Sequence, residues 1–159
     1  HHRDGYEALR ALLPPKEKRG LVLIDPPYEA QLAEFDLIQE GLLDAHRRWP
    51  NGIYAVWYPI KLRQDIEAWY RRLATLPFSR ILIAELCLHE PNSALRLNGC
   101  GMALINPPYR FDHVLGEILP ALAKAKTKLF VTATVYGPHL SGERQKLFGS
   151  FGASGMSSA

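Results

Sequence analysis

The chain is poor in several things, and each shortage excludes something. Among 159 residues there are two cysteines, Cys87 and Cys100, too few for a disulfide framework or for a zinc site built on Cys-x-x-Cys pairs. Every apolar run falls short of the roughly 18 residues that a bilayer-crossing helix needs, and no charged-then-apolar leader opens the chain. The histidines show no metal-ligand spacing: His1 and His2 open the chain, while His46, His89, His113 and His139 fall on separate elements. GxSxG, P-loop and HExxH patterns are all missing. Charge of one sign is also scarce. Lys+Arg 19 against Asp+Glu 16 leaves +3, which permits a polyanionic partner without demanding one. The expectation is a soluble, cytoplasmic protein with neither a metal nor a membrane partner.

What is present suits one globular domain, with 47% hydrophobic and 22% charged residues. A chain this long normally buries roughly 68–70% of its unfolded surface, so a core is expected and disorder throughout is excluded. Apolar strands alternate with amphipathic helices. Residues 5–13 place Tyr6, Leu9 and Leu12/Leu13 on one face, with Asp4 and Glu7 spaced as a capping box. Gly20 opens LVLID, a run without alternation that suits a parallel strand buried on both faces. A helix over 29–49 carries Leu32, Phe35, Ile38, Leu42, Ala45 and Trp49 at helical spacing. Further strands are expected at 53–58, 80–88, 101–105 and 128–136, and further helices at 61–75 and 112–125. Pro120 predicts a kink or break in the last of these. The stretch 89–101 is polar and turn-rich and reads as a loop. From 137 the periodicity is lost, and the Gly/Ser-rich end reads as a flexible tail. This alternation points to an α/β doubly wound sheet. Cys87, inside an apolar run, reads as a small packed hydrophobe.

The strongest chemical signal is Asp25-Pro26-Pro27-Tyr28, between an apolar strand and a helix. A carboxylate at the C-terminal end of a strand lies in the ligand crevice of an open α/β sheet. Two successive prolines hold the backbone extended and remove two N–H donors, so the Asp25 carboxylate and the Pro26 carbonyl face outward as acceptors. Two acceptors and an aromatic ring suit the exocyclic amine of a planar base, with Tyr28 stacking on it at roughly 1–3 kcal/mol. Aligning both N–H bonds points the nitrogen lone pair at an incoming electrophile, the logic of an amino methyltransferase using S-adenosylmethionine. Asn106-Pro107-Pro108-Tyr109 is chemically similar. It comes too late in the strand order, and it reads as the structural end of a strand. Asp4-Gly5 has two readings that stay open together: a helix N-cap, and an acidic residue on the cofactor's adenine edge beside a glycine that admits close approach. Trp57 and Tyr58, ending the adjacent strand, are placed beside the target base. Arg47/Arg48, Arg71/Arg72, Lys16/Lys18/Arg19 and Lys124/Lys126/Lys128 read as solvated helix ends, with RNA phosphates as the alternative.

Three blocks, RDGYEALRALLPPKEKRGLVLIDPPYE, GIYAVWYPIKLR and GMALINPP, closely resemble the RlmJ family, bacterial 23S ribosomal RNA adenine-N6 methyltransferases that use S-adenosylmethionine. The resemblance runs from residue 1 to about 136. It implies a Rossmann-like class I methyltransferase sheet, with Asp25 as the catalytic aspartate and also a cofactor contact, and with Asp4 and Gly5 as cofactor contacts. Family members carry a long N-terminal portion ahead of the position of Asp4, holding the first strands and a Gly-containing cofactor turn. Residues 1–136 are therefore expected to be the C-terminal part of the methyltransferase domain, with 137–159 as the tail. Two consequences are expected: an exposed hydrophobic edge at LVLID, and poor binding of S-adenosylmethionine. The implied partner is 23S rRNA, protein-free or partly assembled, with its adenine unpaired or flipped. DNA adenine methylation, a role in the use of external DNA, and a non-catalytic fragment acting by association remain as alternatives.

Overall fold

Asp4 begins the fold as a helix cap: its Oδ1 accepts the backbone N–H groups of Tyr6 and Glu7 at 2.9 and 3.0 Å, where the first turn lacks partners of its own. The computed structural model describes residues 2–90, 92–125, 130–136 and 145–146. In chain order the elements are α1 (Gly5–Leu12), β1 (Leu21–Ile24), α2 (Gln31–Arg48), β2 (Ile53–Ile60), α3 (Arg63–Leu73), β3 (Ile81–Cys87), β4 (Gly99–Ile105), α4 (Phe111–Ala125), β5 (Phe130–Tyr136) and β6 (Gln145–Lys146). The helix α4 continues past Pro120 without the break that was one of the two expected outcomes. Apart from Gln145 and Lys146, the expected tail at 137–159 lies outside the described residues.

The strands form one sheet in the order β1-β2-β4-β3-β5-β6. The α/β class holds, but the strand directions are mixed: β1 and β2 are parallel, and every other neighbouring pair is antiparallel. The 88–98 connection is too short for the covering helix that a parallel crossover needs, so β4 returns as a hairpin between β2 and β3. It also begins two residues earlier than the polar composition suggested. As a result β1, β2 and β3 share one direction, and their C-terminal ends lie along one edge of the sheet.

Helices cover both faces. Alternate residues of β2, Tyr54, Val56, Tyr58 and Ile60, join Leu9, Phe35, Ile38 and Trp69 in the larger core beneath α1, α2 and α3. On the other face Ala55, Leu82 and Leu104 pack beneath Phe111 and Leu115 of α4. Cys87 is buried in the larger core, as expected. β1 departs from expectation. It ends the sheet, and Leu21 and Leu23 are 58% and 60% exposed, because among the described residues neither a strand nor a helix covers its outer side. Ile24 alone of its four residues is buried. The expected hydrophobic sheet edge is therefore present. Leu32 and Leu12, expected to face inward, are likewise exposed.

Two polar arrangements fix the strand tips. Asn98 is fully buried. Its Nδ2 donates to the carbonyls of Lys61 and Ser93 at 2.7 and 2.9 Å, and its own carbonyl accepts from Leu88 and His89, tying the 88–98 loop to the ends of β2 and β3. Beneath the sheet, Tyr58 bonds Tyr70, and Glu85 Oε1 accepts from Tyr70 and from Arg63 at 2.7 Å each. Burial holds both phenols well above their ordinary pKa.

Candidate active site at the strand tips

β1 delivers Asp25 to the edge where β1, β2 and β3 end. Register pairs Ile24 with Val56, so β2 runs four residues past the end of its parallel neighbour. Ile60 turns its carbonyl toward the β4 side, where Asn98 N–H takes it, so the alternate residues Trp57 and Pro59 point theirs the opposite way. Pro59 is tolerated inside β2 because its missing N–H faces the side where the ladder has already stopped. The two stranded carbonyls are satisfied by side chains: Tyr28 Oη donates to Trp57 O, and Gln31 Nε2 donates to Pro59 O at 2.9 Å.

Beside Asp25 lies a cavity of about 540 Å3, within the range of small-molecule sites. It brings together Asp4, Gly5, Asp25 and Pro26, two pairs some twenty residues apart in the chain. Asp4 therefore caps α1 and lines the cavity at once. A Cβ at Gly5 would meet nothing within 4 Å, so the backbone there is open to approach. The structure adds two lining residues that sequence reasoning missed, Tyr6 and Glu34. Tyr6 Oη donates to Glu34 Oε1 at 2.6 Å. Burial first, and then that carboxylate, raise the Tyr6 pKa. Glu34 is half-buried on the stripe of α2 that faces α1, and as one charged residue among several in that helix it gave no signal in one dimension. Three carboxylates, Asp4, Asp25 and Glu34, line the cavity with Leu9, Leu23 and Ile24, and among its described lining residues none is cationic. Such a wall suits a positively charged, partly apolar ligand.

Tyr28 is not brought to this cavity. It adopts φ 55° and is 6% exposed. Its ring meets Phe35 and Trp57 edge-on, with centroids 5.9 Å away in each case. Tyr58, placed beside the base by sequence reasoning, is fully buried and packs against Trp69. That placement is corrected: alternation in β2 sends Tyr58 into the core beneath α3, while Trp57 is half-buried against Tyr28.

The second proline tetrapeptide lies at the opposite edge. Because β4 is antiparallel to β2, Asn106 emerges beside the start of β2. Its Nδ2 donates to the carbonyls of Pro50 and Gly52 at 2.7 and 2.9 Å, and its N–H donates to Arg80 O. It closes strand ends, as expected of a structural element. Arg47 pairs with Asp44, and Arg72 with Asp36, so these two members of the basic pairs are neutralised locally. Lys126 and Lys128 lie outside the described residues.

A family model described as "Ribosomal RNA large subunit methyltransferase D, RlmJ" matches residues 1–134. The chain belongs to the RlmJ family. Among curated relatives, the Ribosomal RNA large subunit methyltransferase J of Haemophilus influenzae (strain Rd) is 39% identical over 121 residues, 76% of this chain and 43% of that protein. The Escherichia coli K12 protein of the same name is 37% identical over 119 residues, 75% of this chain and 42% of that protein. The chain thus spans about two fifths of the length of these RlmJ relatives. A crystal structure of a Legionella pneumophila (strain Philadelphia 1) protein, described by the family model DUF519, matches with a TM-score of 0.73 and 32% identity, over 87% of this chain and 51% of that one. Among the described residues, no group of three or more His, Cys, Asp or Glu side chains could hold a metal ion, and no helix is long and apolar enough to cross a membrane.

Proposed function

We propose that the chain carries the methyl-acceptor corner and part of the donor site of an S-adenosylmethionine-dependent enzyme that methylates an adenine N6 amine in 23S ribosomal RNA, within the later half of a Rossmann-like class I methyltransferase sheet. The observation that carries this reading is the meeting of Asp4, Gly5, Asp25 and Pro26 around one acidic cavity at the strand tips. Asp4, Gly5 and Asp25 would hold the donor, since carboxylates and an apolar wall suit a cationic sulfonium joined to a nucleoside. When bound, that group supplies an electrophilic methyl carbon.

The chain's own work is orientation. Asp25 and the Pro26 carbonyl accept the two N6 hydrogens, which aims the nitrogen lone pair away from the protein and into the cavity. No strong base is needed beforehand, because N6, on taking the methyl group from a sulfonium that would leave as a neutral thioether, has four bonds and an acidic proton, which the Asp25 carboxylate would receive. The adenine must leave any duplex to reach this corner. A stacking role for Tyr28 requires its ring to leave the core.

The test is methyl transfer to protein-free 23S rRNA by this chain joined to the family's N-terminal portion. Asp25→Ala is expected to abolish transfer while leaving the circular dichroism spectrum unchanged; near-normal turnover would remove Asp25 from the mechanism. Single-stranded DNA as a parallel substrate separates the RNA reading from its DNA alternative. The uncovered Leu21 and Leu23 favour a second reading for the 159 residues alone, a half-sheet stabilised by association. Calorimetric titration of this chain with S-adenosylmethionine is expected to show affinity weaker than micromolar, and light scattering to show association.

A further inference from the structure

Resting on the rRNA reading, we propose that Arg96 is a phosphate-binding residue for that RNA, presented ready-made by the 88–98 loop beside the strand tips. The cavity's three carboxylates, Asp4, Asp25 and Glu34, meet no cation among its described lining residues. An RNA strand entering there must therefore have its phosphates held elsewhere. The 88–98 loop leaves β3 at the same sheet edge as Asp25. Asn98, which closes the loop, bonds Ile60 O through its N–H. Ile60 stands four residues, roughly 13 Å along the strand direction, beyond the level where β1 stops. A few nucleotides of RNA span such a distance.

Arg10, Arg47, Arg63, Arg72 and Arg80 each bond a carboxylate. Arg96 instead donates its Nε to Asn98 Oδ1 at 2.8 Å, an uncharged partner, and among the described residues no acid neutralises it. Asn98 is fully buried, and its amide nitrogen is already engaged by the carbonyls of Lys61 and Ser93. The amide therefore cannot turn, and its oxygen fixes the inner edge of the guanidinium. Nη1 and Nη2 are left without a partner among the described residues, on an exposed side chain between exposed, uncharged Leu95 and Leu97. A bridge between Leu62 and Asn92 pins the loop a second time, and the loop's acid, Glu90, accepts from Asn92 Nδ2 at 3.3 Å. A planar fork held at its base and open at its tip fits two phosphate oxygens side by side. Being held already, it gives up little freedom in binding them.

Arg96→Gln is the discriminating variant, made in the chain joined to the family's N-terminal portion. The amide nitrogen of glutamine stands as many bonds from the backbone as Nε does, so it keeps Asn98 bonded and loses the charge. KM for protein-free 23S rRNA is expected to rise about fivefold, with kcat within about twofold of the parent and the unfolding midpoint unchanged. Binding of the same RNA is measured against salt in an Asp25→Ala background, where no turnover is needed. The slope of log K on log[salt] should shrink by about 0.7–0.9, the share of one phosphate contact. Arg96→Lys should restore the slope while affinity stays below the parent for want of the fork; a slope that stays reduced would mean that the charge is not what binds. A parental KM and slope in Arg96→Gln would overturn the site. So would an equal loss in Lys18→Gln, ahead of β1 at the opposite sheet edge, since net charge alone would then explain it. Methyl transfer is judged separately: near-normal turnover of Asp25→Ala discards the Asp25 mechanism and leaves the phosphate contact to be decided by the slope.

Discussion

Gly101→Ala offers a sharp trial of the packing that holds β2 in place. Gly101 lies opposite Tyr58 in the β2–β4 register, and a Cβ there would stand 2.1 Å from both Cζ and Oη of that ring. Ordinary carbon contacts lie near 3.5–4.0 Å, so the ring must retreat by more than 1 Å. It has nowhere to go. Trp69 stands 4.9 Å away centroid to centroid, Tyr70 holds the hydroxyl, and Tyr58 and Trp69 are fully buried. Overpacking of this kind costs about 1–3 kcal/mol, and losing the Tyr58–Tyr70 bond adds about 1 kcal/mol, for a total near 2–4 kcal/mol. Urea unfolding reads this as a fall in midpoint of about 1–2 M for a slope of about 2 kcal/mol/M. In a Tyr58→Leu background the space exists, and the same alanine should cost less than about 1 kcal/mol, so the cycle is strongly non-additive. A single-variant loss under about 0.5 kcal/mol, or an additive cycle, would refute the reasoning.

Other expectations concern the sheet's far edge, its open flank and its alkaline limit. Asn106→Ala removes the donors to Pro50 and Gly52 and places alanine at φ 54°; it should cost about 1–3 kcal/mol in unfolding free energy. Methyl transfer per folded molecule should not change, and a loss of kcat equal to that of Asp25→Ala would contradict the edge assignment. Leu23→Lys should weaken concentration-dependent self-association in light scattering, since it puts a charge on the uncovered strand; unchanged association would place the sticky surface elsewhere. Burial pushes the Cys87 thiol from 9.0 up to about 11 and the Tyr54 phenol from 10.0 up to about 12. Between pH 9 and 12 the unfolded chain sheds protons that the folded one keeps, so both contributions are whole below pH 9 and lost as pH rises. The free energy of unfolding measured against pH should fall from about pH 9, and Cys87→Ala should move that onset toward pH 10.

Much of this was legible in one dimension because it is local. Asp4 before an amphipathic run is a cap wherever the helix goes, and Asp25-Pro26-Pro27 leaves a strand tip whatever lies beside it. The larger core followed from helical spacing at Phe35, Ile38 and Leu42. What the sequence hid was neighbourhood. LVLI has the pattern of a strand buried on both faces, yet burial depends on neighbours that a string of letters does not supply. The antiparallel sense of β4 was readable in principle from the short 88–98 connection, but GMALI has no alternation to display its faces. Tyr28 looked available because an aromatic beside a polar motif invites that reading; its left-handed backbone turns it inward. Glu34 and Tyr6 meet across 28 residues, and Glu85 finds Arg63 and Tyr70 from other elements. Such pairings appear once the helices are set on the sheet.

The prolines at the parting of β1 and β2 have a mechanical consequence. Pro26 and Pro27 on one side and Pro59 on the other leave both margins short of the donors that would let the strands zip together further. The parting is written into covalent structure, and side chains close it in place of a ladder: Tyr28 and Gln31 bond the Trp57 and Pro59 carbonyls across it. A seam riveted in that way keeps its width without any further backbone pairing.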